Sequence, residues 1–280
     1  MKKLSLGIST CPNDTFIFDA MLNGRIDCGG PAFDTILTDV EDLNNMAFKS
    51  ELDITKISYH AYAYAAENYI LLNSGSALGF NNGPLLVSRE KKTIDELETG
   101  LIAIPGKYTT ANLLLAILFP GLSNKKEYLF SDIEDIVLSG EAEAGLLIHE
   151  NRFTYASKGL MKISDLGEVW QEETSVPIPL GGIAIKRSLG NDIALKVQKC
   201  LSESISFAYD NPDSSYDFVR KYAASMEREV MKKHIDLYVN EFSRDLGSTG
   251  REAVRVLYSK AMDVNVIPKI RKDIFSPFYS

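Results

Sequence analysis

Short apolar runs closed by turn residues alternate with helix-like stretches along most of the chain, and this alternation limits the available folds more than any other feature. A strand followed by a helix and another strand specifies a βα unit on a mainly parallel sheet, because the helix returns the chain to the starting edge. The runs predict strands at Leu4–Ser9, Leu52–Ile57, Tyr69–Leu72, Leu85–Ser88, Leu101–Ile104, Glu127–Phe130, Gly145–Ile148, Met161–Ile163 and Gly182–Lys186. Capping boxes, in which two side chains satisfy otherwise unpaired backbone donors, are expected at Thr93–Glu96, Ser131–Glu134 and Thr249–Glu252. Asn211-Pro212 pairs an N-cap residue with a proline at the first helical position. From Arg187 onward the period is helical, and Ile193, Leu195, Val197, Leu201, Ile205 and Ala208 mark one long helix lying on a sheet.

With 280 residues, 45% of them hydrophobic, the chain buries a substantial core and sits near the size at which one core divides into two. The segment from Arg89 to Leu180 carries its own set of strands and helices. The expected organisation is therefore an α/β chain with one discontinuous lobe, residues 1–88 plus 187–280, and an inserted lobe, residues 89–186, with hinge strands near 85–88 and 182–186. Two lobes joined by two hinges place a ligand cleft between them and close around what they bind.

Several function classes are set aside. Lys and Arg total 30 against 38 Asp and Glu, a formal charge of −8 without a basic block, so no nucleic-acid partner is expected. The longest apolar runs, such as Ala111 to Phe119, fall short of the roughly 20 residues of a membrane span. The N-terminus reaches Cys11 too soon for the ~7–15 apolar residues of a signal-peptide core, and a cytoplasmic location is expected. Cys11, Cys28 and Cys200 are odd in number and far apart, which predicts reduced thiols rather than a disulfide framework. Gly75 to Gly83 lacks the spacing of a phosphate or dinucleotide loop, so neither ATP nor NAD is expected. The three dispersed histidines point to no metal. The oligomeric state stays open.

Histidine is the side chain best matched to proton transfer near neutrality, and the chain has His60, His149 and His234. His149 follows the apolar run Gly145–Ile148 and precedes a polar stretch, so it sits at the carboxyl end of a strand, where open α/β sheets bind ligands. Such a histidine either acts on a ligand or caps the next helix. His60 and His234 fall within helical patterns and read as structural. Pro105–Ala111 follows one strand and opens an apolar helix; the free amides, hydroxyls and nearby lysine form an anion site there or an ordinary threonine cap. Lys56 and Ser58 end another strand on alternate positions, hence on one face; a solvated lysine and a serine cap fit the same pattern. Ser9–Phe18 forms the first βα turn. Cys11 within it is read as a small buried residue, and no covalent catalysis is expected.

Taken together, the segments Ser9–Phe18, Thr55–Tyr59, Gly106–Ala111 and Gly145–Tyr155 resemble the 1,4-dihydroxy-6-naphthoate synthases of the futalosine route to menaquinone. The resemblance runs the whole length of the chain, with four motifs in order. It implies a fold similar to type II periplasmic binding proteins and a cofactor-independent lyase that turns cyclic dehypoxanthinylfutalosine into 1,4-dihydroxy-6-naphthoate, releasing a three-carbon fragment. It further implies His149 as the proton acceptor, with Lys56, Ile57 and Ser58 on one side and Thr110 and Ala111 on the other contacting a carboxylate-bearing substrate. Asn13, Asp14, Thr15 and Thr109 are further candidates for the cleft. Competing readings are a chorismate dehydratase of the same route and a non-catalytic organic-anion-binding protein, since fold alone does not fix function.

Overall fold

The computed structural model describes residues 3–80, 82–149, 151–223, 227–270 and 273–277. Among the described residues eleven strands form two mixed sheets: β1 Leu4–Ser9, β2 Phe33–Thr38, β3 Ile54–Ser58, β4 Tyr69–Leu71, β5 Ala77–Gly79, β6 Leu85–Ser88, β7 Ile102–Ile104, β8 Lys125–Glu127, β9 Ala144–Leu147, β10 Met161–Asp165 and β11 Ile178–Lys186. The first sheet runs β2-β1-β3-β11-β4 with β5 paired to β11, and the second runs β10-β6-β9-β7-β8. β1 is parallel to β2 and β3 while β11 runs antiparallel to β3, β4 and β5. In the second sheet β7 is parallel to β8 and β9, and β6 is antiparallel to β9 and β10.

The first sheet is covered on both faces, which is why its central strands read as unbroken apolar runs. Leu4, Leu6 and Ile8 of β1 and Ile183 and Ile185 of β11 pack with Phe16, Ile17, Val197, Leu201 and Ile205 of the helices Pro12–Leu22 and Asn191–Asp210. Gly7, on the opposite face of β1 from Leu6 and Ile8, has no room for a side chain, because a Cβ there would stand 2.5 Å from Leu52 and 2.7 Å from Leu43. On the other face Ile57, Tyr59, Ala184, Val254 and Leu257 join one core with Leu86, Ile102, Leu114 and Leu146 of the second lobe. A smaller cluster of Leu85, Val87, Ile133, Val137 and Leu147 covers the far side of the second sheet.

The chain enters the second sheet between β5 and β6 and returns to the first between the helix Leu166–Thr174 and β11. Residues 85–88 lie wholly in the second sheet and 182–186 wholly in the first, and the links between the sheets are the segments just before each, next to the strands expected near the hinges. Two strands escape the apolar-run reading. β2 is an edge strand whose residues are intermediate or exposed, so it needs no apolar run, and β5 lies inside the glycine-containing segment read as a loop. The run at Glu127–Phe130 is displaced: the strand is Lys125–Glu127 at the sheet edge, and a 3-10 turn begins at Phe130. Thr93 does form a capping box with Glu96. Ser131–Glu134 instead spans a 3-10 turn running into the helix Ile133–Ser139, and Thr249 lies inside the helix Gly247–Asp263. Beyond Lys186 every described element is helical.

The expectation of three reduced thiols is also corrected. Cys28 and Cys200, 172 residues apart, form a disulfide with Cα atoms 4.8 Å apart, leaving Cys11 free. Cys200 sits on the long helix that packs beside the segment leading to β2. Nothing in the linear spacing reports that proximity.

Candidate active site

Four strand ends meet at one cavity. Ser9 closes β1 and Cys11 follows it, Lys56 and Ser58 close β3, Thr109 and Thr110 follow β7, and Ile148 and His149 follow β9. The parallel pairs β1/β3 and β7/β9 thus present their carboxyl ends to one space, as open α/β sheets do. The cavity holds about 680 Å³ counting its mouth, and its wall also includes Asn13, Asp14, Ala111, Leu180, Gly181, His234 and Tyr238. Of the expected site residues, Asn13, Asp14, Lys56, Ser58, Thr109, Thr110, Ala111 and His149 line it. Ile57 points to the opposite side of β3 and is part of the core, and the Thr15 hydroxyl turns back to the Cys11 carbonyl at 3.0 Å. Glu150 falls outside the described residues.

Asp14 anchors the first-lobe wall. It lies in the first turn of Pro12–Leu22, where proline at the helix start and an acidic residue both suit the exposed amides and the dipole. Its side chain is fully buried and accepts from Lys56 Nζ at 2.6 Å, Ser9 Oγ at 2.7 Å and Asn13 Nδ2 at 2.8 Å. A carboxylate out of water is tolerable only with such partners. Lys56 is thus 6% exposed rather than solvated.

Ser58 is held from the helix Val40–Phe48. Its hydroxyl accepts from Asn44 Nδ2 at 3.1 Å, and its backbone N–H donates to Asn44 Oδ1 at 3.0 Å. Asn44 Nδ2 also donates to Glu41, whose other carboxylate oxygen accepts from the Tyr108 backbone N–H of the second lobe at 3.2 Å. Burial raises the Glu41 carboxyl above its ordinary range, opposed by the hydrogen bonds from Asn44 and Tyr108. Gly106 permits this approach: a Cβ there would lie 2.9 Å from the Glu41 carboxyl carbon, and its φ of +146° suits glycine.

Across the cleft, Thr109 caps the helix Thr110–Leu118, accepting from Asn112 N at 3.3 Å while donating to the Gly106 carbonyl at 2.8 Å. The ordinary-cap reading therefore holds for Thr109. Thr110 does something further, because its hydroxyl donates to the Leu180 carbonyl of β11 in the first sheet. His60 serves packing: Nδ1 faces the Thr109 carbonyl at 3.2 Å, its ring adjoins Tyr64 and Tyr108, and burial lowers its pKa to about 4.

His149 adopts a left-handed backbone with φ of 57°, a conformation uncommon outside glycine that collects at functional sites. It turns the ring into the cavity, with Nδ1 3.3 Å from Cys11 Sγ and the Phe130 ring edge-on at 4.9 Å. Arg152 pins the segment, donating to the Gly83 carbonyl at 2.6 Å and to Asp165 at 3.2 Å, while Asp165 caps the helix Leu166–Thr174. Cys11, read above as a small buried residue, thus faces a histidine 138 residues away in the sequence. His234, read as structural from its helical pattern, also lines the cavity, and its ring lies nearly parallel to that of His149 at 6.1 Å. Among the described residues no group of three or more His, Cys, Asp or Glu is placed to hold a metal ion, and no helix is long and apolar enough to cross a membrane.

Comparison with known proteins places the chain in a family. The profile of a family described as menaquinone biosynthesis matches residues 4–263. A 1,4-dihydroxy-6-naphthoate synthase from Thermus thermophilus is 41% identical over 93% of this chain and 94% of its own. One from Streptomyces coelicolor is 39% identical over 96% of each. A crystal structure of an Archaeoglobus fulgidus protein superposes with a TM-score of 0.88 at 35% identity, covering 95% of this chain and 98% of that one. The periplasmic aliphatic sulphonate binding protein of Escherichia coli superposes at 0.69 with 12% identity, over 99% and 93%, a likeness of fold alone. The fold is that of the periplasmic binding proteins, and the chain belongs to the menaquinone-biosynthesis family together with these 1,4-dihydroxy-6-naphthoate synthases.

Proposed function

We propose that this chain converts cyclic dehypoxanthinylfutalosine into 1,4-dihydroxy-6-naphthoate with release of a three-carbon fragment, as a cofactor-independent lyase with His149 as general base. The reading rests chiefly on His149, held by a left-handed backbone at the end of β9 with its ring in the cavity opposite Lys56 and Ser58. Carbon–carbon cleavage that ends in an aromatic ring needs a base to start electron flow and donors to hold oxygen atoms as charge develops. The free amides at the start of Thr110–Leu118 and the Lys56 ammonium suit the substrate carboxylate. Asp14 partly neutralises that ammonium, so the helix end carries much of the attraction. The ligand bridges Lys56 and Ser58 in one lobe to Thr110 and Ala111 in the other, and the lobes close on it. Relatives that act in a biosynthetic route support a cytoplasmic location.

Incubation with cyclic dehypoxanthinylfutalosine and mass-spectrometric detection of the product tests the reading. Turnover to the naphthoate supports it. Binding without turnover would favour a non-catalytic organic-anion-binding protein.

A further inference from the structure

His234 lies on the helix Arg228–Tyr238 and is 1% exposed, yet it forms part of the cavity wall. Its protonation pattern follows from its neighbours. The Asp14 carboxylate, facing the Lys56 ammonium, only accepts, so the Asn13 atom 2.8 Å from it is the Nδ2 amide. A flipped Asn13 would set its oxygen against the carboxylate. Asn13 Oδ1 therefore faces His234 Nε2 at 3.0 Å and accepts from it, which places the ring proton on Nε2. Nδ1 is left with a lone pair, and it is buried without a hydrogen-bond partner among the described residues. A second proton is disfavoured, because burial foremost, and then His149, Lys56 and Arg152, hold the pKa well below the ordinary value.

We propose that His234 is a specificity-determining residue of this site, its Nδ1 accepting a hydrogen bond from a hydroxyl of the ligand. A buried acceptor without a partner is rare in native proteins and persists where something else supplies the donor. Nδ1 is out of reach of bulk water, so the donor is one that the ligand brings. The ring lies nearly parallel to that of His149, which places the recognised hydroxyl beside the proposed base. The chain Lys56–Asp14–Asn13–His234 thereby couples the lysine of β3 to the tautomer of a histidine 178 residues further on. The inference rests on the proposed reaction for the identity of the ligand, a polyhydroxylated carboxylate.

The test uses the full chain labelled with [15N]histidine and titrated with cyclic dehypoxanthinylfutalosine. In the free protein, Nδ1 of His234 should resonate as an unprotonated nitrogen and Nε2 as a protonated one. On saturation the Nδ1 resonance should move toward the protonated range. In parallel, His234→Gln retains an amide donor for Asn13 but leaves no acceptor at the position of the ring Nδ1. It should raise KM by about tenfold, the scale expected for one buried ligand hydroxyl left without its acceptor, with kcat less affected. An analogue lacking the free hydroxyls should bind wild type and His234→Gln alike. Ligand binding that displaces the Nδ1 signal without turnover would sink the reaction and keep the acceptor. Turnover with an unmoved Nδ1 signal and a wild-type KM in His234→Gln would overturn the acceptor and keep the reaction. The wild-type spectrum decides the matter even where the variant does not fold.

Discussion

Replacing Lys56 by Met strands the Asp14 carboxylate, and the size of the effect can be worked out from the site. Both side chains are below 10% exposed, at 8% for Lys56 and 0% for Asp14, so water does not replace the ammonium. Breaking a buried pair by removing one partner costs roughly 3–5 kcal/mol. A ceiling exists, because the orphan can take a proton. An ordinary aspartate titrates near 3.9, so neutralising one costs about 4 kcal/mol at pH 7 and about 1.5 kcal/mol at pH 5, at roughly 1.36 kcal/mol per unit. Ser9 and Asn13 still donate to it, which lowers the cost somewhat. Lys56→Met should therefore lose about 3 kcal/mol at pH 7 and about 1.5 kcal/mol or less at pH 5. The sign is fixed by the orphan's folded pKa lying above its unfolded one. The folded variant binds more protons than the unfolded chain, so its stability is fullest at low pH and falls as pH rises. Urea denaturation of wild type, Lys56→Met and the double variant Asp14→Asn/Lys56→Met at the two pH values measures this, and the double variant should recover most of the loss at pH 7. A penalty under about 1 kcal/mol at pH 7, or one that does not change with pH, would show that Lys56 does not hold Asp14 as a buried ion pair.

Three further outcomes are expected. His149→Asn should lower kcat by about 10²–10⁴ in the mass-spectrometric product assay while keeping the melting temperature, since asparagine accepts the left-handed backbone at this position. Ser58→Ala and Thr110→Val should each weaken ligand binding in calorimetry by about 0.5–1.5 kcal/mol, and their effects should couple rather than add because one ligand spans both; small-angle scattering should show a smaller radius of gyration on saturation. Thiol titration of the unfolded, unreduced chain should find Cys11 alone, and Cys28→Ser should cost about 2–4 kcal/mol of stability; three reactive thiols would contradict the pairing.

The alternation of elements and the strand ends that carry chemistry are legible in the residues, because these are local properties of the chain. An apolar run that stops at a polar residue is legible wherever the strand is buried on both faces, as with β1, β3, β6 and β9. For the same reason Lys56, Ser58, Thr110 and His149 could be placed at strand ends and helix starts from their spacing. β2 was missed because an edge strand lacks the burial that writes an apolar run. The capping pattern at Thr249 fits its residues but not its surroundings, since the helix Gly247–Asp263 begins before it. Tertiary structure alone decided which distant segments meet. Cys11 with His149, Asn13 with His234, Cys28 with Cys200 and Thr110 with Leu180 are contacts between segments 70 to 221 residues apart. Each residue alone has an unremarkable local reading, as a small buried thiol, a turn residue or a histidine on a helix face. Which one becomes part of the site depends on how the two sheets pack across the cleft, and that packing is a sum over the whole core rather than a property of any window of sequence.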